Sequence, residues 1–139
     1  MTRRLLLIEA ALSIALIWAG LRVMPFLRLQ RLLDRYVPLA NIRKRHAADF
    51  GAISAVNWGV TAVSARFPPA TCLVQALAAA AMLRRRGHTC QLRIGVRTHG
   101  IAAGARLEAH AWVECDGRVA IGDVAYLSEL AVLASPVSS

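Results

Sequence analysis

The hydrophobic pattern divides the chain into a helical first part and a strand-rich second part. Residues 5–21 are apolar apart from Glu9 and Ser13. At 100° per residue these two residues and Gly20 fall within a narrow arc, which predicts an apolar helix with a thin polar stripe. We favour burial of this helix against the domain or a partner protein. The alternatives are a peripheral membrane contact and a membrane span, and the single Glu and short apolar length disfavour the span.

The same periodicity predicts three further helices. Pro25 is well placed to open the first of them, in which Leu and Arg residues take opposite sides. The second begins at Phe50 and ends near Pro68, because proline disfavours helical geometry. The third follows Thr71 as N-cap and ends at Gly87, and its small apolar residues predict a central buried helix. The N-terminal part of the chain is therefore expected to be helical.

The pattern then alternates with period two and predicts an antiparallel sheet of at least three strands. Asp116-Gly117 is a strong signal for a two-residue hairpin turn, because both central positions of a type I′ turn need positive φ. The strands are expected over residues 90–97, 106–115 and 118–123, with a glycine-containing loop over 98–105.

These elements predict an α+β fold with a single domain over residues 1–139. A chain of this length can bury a core. Residues 1–66 are expected to form the helical N-terminal part. Residues 67–139 are expected to hold the central helix with Cys72 and the small antiparallel sheet. A short apolar helix is expected after Val124.

Charge and cysteine count narrow the class of protein. The chain carries 17 Lys and Arg against 8 Asp and Glu, a formal net charge of +9. Such a balance suggests nucleic acid, an anionic membrane surface or an acidic peptide as partner, with a solvated basic helix face as the alternative. Of these partners we expect no nucleic acid. Three cysteines without CxxC spacing argue against a disulfide framework and a zinc site. We expect no metal, no cofactor and a cytoplasmic setting, with membrane association left open.

The predicted hairpin brings an imidazole beside a carboxylate. A two-residue turn pairs Trp112 with Ile121 and His110 with Asp123, the latter as a closely spaced pair without hydrogen bonds. A histidine base and its orienting acid are two members of a catalytic triad, and a nucleophile would complete it. The alternative is an ordinary polar surface pair. Asp116 is a second candidate for the acid, although its place in the turn favours Asp123. Trp112 shares the strand face of His110, and is a candidate either to shield the ion pair and bind substrate or simply to pack.

Cys72 is the candidate nucleophile. It lies in the first turn of the helix after Thr71, where exposed N–H groups and the helix dipole favour a thiolate and can receive an oxyanion. The alternative is an inert buried cysteine, which is our interpretation of Cys90 and Cys115 because both lie on the predicted core face. No side-chain oxyanion donor is assigned, and Gln75 is an open candidate.

A thiol at a helix N-terminus followed by a strand His and then an Asp resembles the transglutaminase-like and papain-like superfamily of cysteine proteases. The matching segments are TCLVQALAAAAMLRRRG around Cys72, AHAWVE around His110 and IGD ending at Asp123. More narrowly, the chain is similar to the stand-alone leader peptidases of lasso-peptide biosynthesis. The Leu-rich opening with Glu9 and the MPF at residues 24–26 also match that family.

The resemblance implies that Cys72 is the nucleophile, His110 the general base and then acid, and Asp123 the orienting group. Enzymes of that family remove the leader from a ribosomally made precursor peptide. They cut at the end of the leader, whose penultimate residue is threonine. An ATP-dependent cyclase then closes the ring of the core peptide. Fused relatives carry a leader-recognition domain, for which the helical first 65 residues leave no room. A separate recognition protein is therefore an expected partner.

Two other classes of function stay open. A different transglutaminase-like acyltransferase uses the same three residues with an amine in place of water. A non-catalytic adaptor acts through its basic helices and apolar first helix, at a partner or membrane surface. Replacement of Cys72 by alanine is harmless to the adaptor and abolishes either enzyme.

Overall fold

The described part of the chain consists of helices packed on one face of a small sheet. The computed structural model describes residues 2–36, 50–88, 90–99, 106–115, 118–124 and 127–133. The helices are α1 (Arg3–Val23), α2 (Phe26–Tyr36), α3 (Phe50–Ser64) and α4 (Cys72–Arg85). The strands are β1 (Cys90–His99), β2 (Arg106–Cys115), β3 (Arg118–Ile121) and β4 (Ala131–Val132). The predicted α+β fold class is confirmed.

Helix α4 lies at the centre of the fold, as the sequence predicts. It contacts α1 and α3 as well as β1 and β2, so it lies between the other helices and the sheet. Ala78 and Ala79 are fully buried, and their small side chains let neighbouring elements approach closely. At the start of the helix, Thr71 is the predicted N-cap, and its Oγ1 accepts a hydrogen bond from the Val74 N–H at 3.5 Å.

The polar stripe of α1 faces the C-terminal end of α4. Arg86 donates two hydrogen bonds to the Glu9 carboxylate, at 2.9 and 2.6 Å, and Arg85 donates one at 3.0 Å. Arg85 also donates to Ser13 Oγ at 3.1 Å. The hydrogen bond from Arg86 lowers the pKa of Glu9, against the opposing effect of burial. One side of α1 is therefore packed against the domain, as the favoured interpretation of this helix requires.

The sheet has the strand order β3-β2-β1-β4, and all its neighbouring strands are antiparallel. Strands β1 and β2 pair along their whole length, with Cys90 opposite Cys115 and Gly95 opposite His110. Because side chains alternate between the two faces, Leu92 and Val113 point into the core with α4. His110 belongs to the opposite face of β2.

The β2–β3 hairpin departs from the predicted register. The first two residue pairs follow the prediction, but a bulge leaves Ala120 without a partner, so that Val113 rather than Trp112 pairs with Ile121. Strand β3 ends there, and Asp123 lies beyond the last pair. The predicted cross-strand pairing is therefore wrong, because a bulge inserts one residue into one strand and shifts every later partner.

Cys90 and Cys115 lie buried on the core side, as predicted, but they form a disulfide bond. Their Cα atoms are 4.5 Å apart, the separation of an antiparallel pair without hydrogen bonds. The predicted absence of a disulfide is therefore wrong for this pair. An odd number of cysteines leaves room for one bond, and residue spacing does not fix a strand register across a loop. Cys72 is the free cysteine.

The structure differs from two other predictions, the end of β1 and the C-terminal helix. Strand β1 continues to His99, two residues beyond the predicted end. The predicted C-terminal helix is instead a short 3₁₀ helix at Leu127–Glu129 followed by β4. Other predicted features lie outside the described residues: the Asp116-Gly117 turn, the basic run at 42–46 and residues 100–105 of the predicted loop.

Candidate active site

Cys72 is the first residue of α4, and its half-buried side chain packs against the hydrophobic core. The turn that contains it is held by backbone and side-chain hydrogen bonds. The Gln75 N–H donates to Thr71 O at 2.9 Å, and Gln75 Nε2 donates to Ala70 O at 2.9 Å. Gln75 therefore ties the segment before the helix to its first turn. The thiol lies at the N-terminal end of the helix, beside the backbone N–H groups of its first turn.

The loop that leads into α4 is anchored to α1. Phe67 packs edge-to-face against Trp18 of α1, with ring centroids 5.7 Å apart. The Ala70 N–H donates to Phe67 O at 2.9 Å, and the Thr71 N–H donates to Pro69 O at 2.9 Å. These contacts fix the chain direction immediately before Cys72.

His110 is oriented by a backbone carbonyl. Its Nε2 lies 2.6 Å from the carbonyl oxygen of Gly122. A carbonyl oxygen only accepts, so Nε2 carries the proton and donates the bond. In the neutral ring the other nitrogen, Nδ1, then carries the lone pair, and the hydrogen bond selects the tautomer in which Nδ1 is the basic atom.

Gly122 presents this carbonyl through a conformation that favours glycine. Its φ is +90°, and an added Cβ would lie 2.9 Å from the Ala111 carbonyl oxygen and 2.9 Å from Trp112 Cβ. Asp123 follows directly, with an exposed side chain. The structure thus brings His110 to the Gly122–Asp123 segment, and the hydrogen bond it describes goes to the backbone. Gly122 is not among the predicted site residues, although a glycine near a predicted strand end is a signal for this role.

Trp112 packs beside the imidazole. It is 2% exposed, and its ring is nearly parallel to that of His110, with centroids 6.1 Å apart. Its Nε1 donates to Glu114 Oε1 at 2.9 Å. The ring lies over Gly95, where an added Cβ would be 3.0 Å from it. These contacts assign Trp112 the packing role that the sequence left open, while substrate contact stays a prediction.

The C-terminal segment covers this face of the sheet. Leu130 lies over Gly95, 2.9 Å from the position of an added Cβ, and the Leu133 N–H donates to Ile94 O at 2.8 Å. Arg97 donates to Glu108 at 2.7 Å and to Glu129 at 2.9 Å. The last described residues are therefore tied to β1 beside the Trp112 ring.

Cys72 and His110 come from elements that pack against each other, α4 and β2. Cys72 lies at the helix end on the core side of the sheet, and His110 belongs to the opposite face of β2. The structure brings His110 and Gly122–Asp123 together. That Cys72, His110 and Asp123 act as one catalytic group stays a prediction.

The chain belongs to the transglutaminase-like superfamily, whose profile matches residues 17–135. This superfamily includes cysteine peptidases and acyltransferases. The matched range contains all three predicted catalytic residues. No curated protein and no solved structure gives a significant match. Within the part of the chain that the structure describes, no cluster of three or more His, Cys, Asp or Glu side chains is arranged to hold a metal ion.

Proposed function

We propose that this protein is a cysteine peptidase that removes the leader from a ribosomally made lasso-peptide precursor. The observation that carries the proposal is the 2.6 Å hydrogen bond between His110 Nε2 and the Gly122 carbonyl. It assigns the lone pair of the neutral ring to Nδ1, as a general base requires. A free Cys72 at a helix N-terminus and membership of the superfamily support the same chemistry.

The reaction is an acyl transfer in two steps. His110 Nδ1 takes the proton of the Cys72 thiol, a step that requires the imidazole to come within hydrogen-bond reach of the thiol. The thiolate then attacks the scissile carbonyl carbon, and the N–H groups at the start of α4 receive the oxyanion. The carbon–nitrogen bond breaks as His110 protonates the leaving amine, which is the N-terminus of the core peptide. The leader stays on Cys72 as a thioester. His110 then takes a proton from water, whose oxygen attacks the thioester and releases the leader carboxylate and the thiol.

Asp123 is proposed to orient the imidazole together with Gly122. The carbonyl of Gly122 binds the Nε2 proton, and the Asp123 carboxylate next in the chain stabilises the imidazolium that forms during proton transfer. The support for Asp123 is its position directly after Gly122 and the resemblance of the IGD segment.

The proposed partners follow from the resemblance of the Cys72 and His110 segments. A separate recognition protein binds the leader and delivers the precursor, and an ATP-dependent lasso cyclase takes the released core peptide. The proposed cleavage follows a leader whose penultimate residue is threonine. Replacement of that threonine in the precursor is therefore expected to slow cleavage.

The test is a cleavage assay read by mass spectrometry, with a candidate precursor from the neighbouring genes and with or without the recognition protein. We expect the wild type to release a leader that ends in a free carboxylate. Cys72→Ala is expected to release none, and His110→Ala to be slower by about 10² to 10⁴. The matched control is His88→Ala, which removes a half-buried imidazole after α4 and is expected to cleave at the wild-type rate.

Each alternative has its own outcome in this assay. If Cys72→Ala cleaves as fast as the wild type, the thiol is structural and the peptidase proposal is wrong. With a primary amine added, a leader amide in place of the free acid identifies an acyltransferase. If the wild type cleaves nothing even with the recognition protein present, the adaptor class replaces the peptidase.

A further inference from the structure

Helix α1 exposes an apolar surface on the side opposite the core. From Leu5 to Leu21 every exposed residue of the helix is apolar. We call the large members of this surface the apolar ridge, and they are 55, 55, 59, 71 and 78% exposed in the order Leu5, Ile8, Leu12, Leu16 and Val23. At 100° per residue they lie within an arc of about 80°. A continuous apolar surface of this kind marks an interaction site.

The opposite side of α1 is already bound to the protein. Among the described residues α1 is the one helix long and apolar enough to cross a membrane, by length and composition alone. Leu6, Ile14 and Ile17 are buried, and Glu9 is paired with two arginines at the C-terminal end of α4. Because one side of α1 is bound to the protein, the helix can meet a membrane only through the apolar ridge, with its axis parallel to the membrane surface. This geometry is that of a helix that lies in a membrane surface, not one that spans the membrane.

Basic side chains flank the ridge. Arg4 and Arg22, about five helical turns apart, lie along the same edge of the ridge at its two ends, and both are exposed. Arg28, Arg31 and Arg35 are exposed along α2, the next helix. The Glu9 carboxylate points away from the ridge, toward α4. An aliphatic surface bordered by positive charge is complementary to an anionic lipid surface.

The side chains of the ridge favour lipid over a protein partner. Protein interfaces carry about one hydrogen bond per 100–200 Å² and are enriched in aromatic residues and Arg at their centres. The apolar ridge is purely aliphatic and has no side-chain donor or acceptor. Such side chains match the boundary between headgroups and acyl chains. We propose that α1 docks in the plane of an anionic membrane, with the ridge inserted among the lipids and Arg4 and Arg22 at the headgroups.

The experiment is flotation of the full chain with vesicles of phosphatidylcholine alone or with 30% phosphatidylglycerol. The ridge variant is Leu12→Glu with Leu16→Glu, and the matched control is Leu107→Glu on β2, where the leucine is 73% exposed. We expect the wild type and the control to float with the anionic vesicles. The ridge variant is expected to partition at least about tenfold more weakly, because each Glu brings a charge into the apolar layer.

A second pair of substitutions tests the charge. Arg4→Gln with Arg22→Gln is expected to weaken binding to anionic vesicles by about tenfold or more and to leave binding to neutral vesicles unchanged. Circular dichroism confirms that each variant is folded, and Leu12→Ser with Leu16→Ser replaces the Glu pair if it is not. The proposal is wrong if the wild type does not float at low salt. It is also wrong if the ridge variant floats like the wild type. The readout requires no peptidase activity, so it is independent of the proposed function.

Discussion

The two faces of the sheet differ in chemistry although the same strands supply both. The face toward α4 carries aliphatic side chains such as Leu92 and Val113 and the Cys90–Cys115 disulfide. The opposite face carries His110, Trp112 and a set of ion pairs. Alternation with period two separates the strand residues that fill the core from His110 and Trp112, whereas Cys72, the proposed nucleophile, lies on the core side at the start of α4.

The comparison shows two ways to hold a side chain in place. On the core face, close packing among buried aliphatic groups is sufficient, because such contacts are not directional. On the opposite face, two described polar side chains show directional bonding. His110 is bound by Gly122, and Trp112 by Glu114. Substitutions on the two faces are therefore expected to affect different measurements.

The largest expected effect on stability comes from the core face. Leu92→Ala removes a buried side chain next to α4 and is expected to lower the free energy of unfolding by about 2–4 kcal/mol. Urea denaturation measures this change. The control Leu107→Ala, at an exposed position on β2, is expected to stay within about 0.5 kcal/mol. Cleavage by folded Leu92→Ala is expected to match the wild type, and a loss of activity at full folding would contradict the division between the faces.

Gly122→Ala is expected to affect both stability and activity. The added Cβ meets the Ala111 carbonyl at a positive φ, which we expect to cost about 1–3 kcal/mol. The backbone shift also withdraws the carbonyl from His110, so cleavage by the folded variant should fall. The control is Gly87→Ala, where φ is 85° at the end of α4, with an expected cost of about 1 kcal/mol and unchanged activity. Equal cleavage activity in the two variants would show that Gly122 does not position His110.

The smallest expected effect comes from the ion pairs on the outer face. Glu129→Gln removes the charge that pairs with Arg97 at a side chain that is 65% exposed, and we expect the smallest loss of stability of the three substitutions, because exposed ion pairs contribute little. Urea denaturation in low salt and in 1 M NaCl measures it, and the difference from the wild type should vanish in high salt. A larger, salt-independent loss would show that this contact also packs the C-terminal segment.

The sequence predicts the elements well where periodicity and end signals agree. Helix α4 begins after Thr71 and carries Gly87 two residues beyond its end, because an N-cap side chain and a left-handed glycine mark the two ends. The bulge at Ala120 has no comparable signal in the alternation of apolar residues. The Cys90–Cys115 bond depends on the register of β1 against β2, which spacing across a loop does not determine.

The sequence predicts the candidate site incompletely, because the site includes a backbone atom as a hydrogen-bond partner. The sequence predicts Cys72 and His110 as catalytic residues from local position and from the resemblance, both of which depend on side chains. One hydrogen-bond partner of His110 is the carbonyl oxygen of Gly122, an atom that every residue type possesses. Only the glycine itself, needed for a positive φ beside the crowded Trp112 backbone, carries this information in the sequence.

The disulfide also determines which side of the sheet His110 takes. A slip of β2 by one residue against β1 exchanges odd and even positions, and would turn the imidazole toward α4 and Val113 outward. The bond between Cys90 and Cys115 joins residues that are directly opposite in the observed pairing, so a slipped pairing cannot close it. The covalent link therefore acts as a check on the odd–even assignment of β2. Cys115 is five residues from His110 along β2, so the disulfide fixes the face of a side chain that it does not contact.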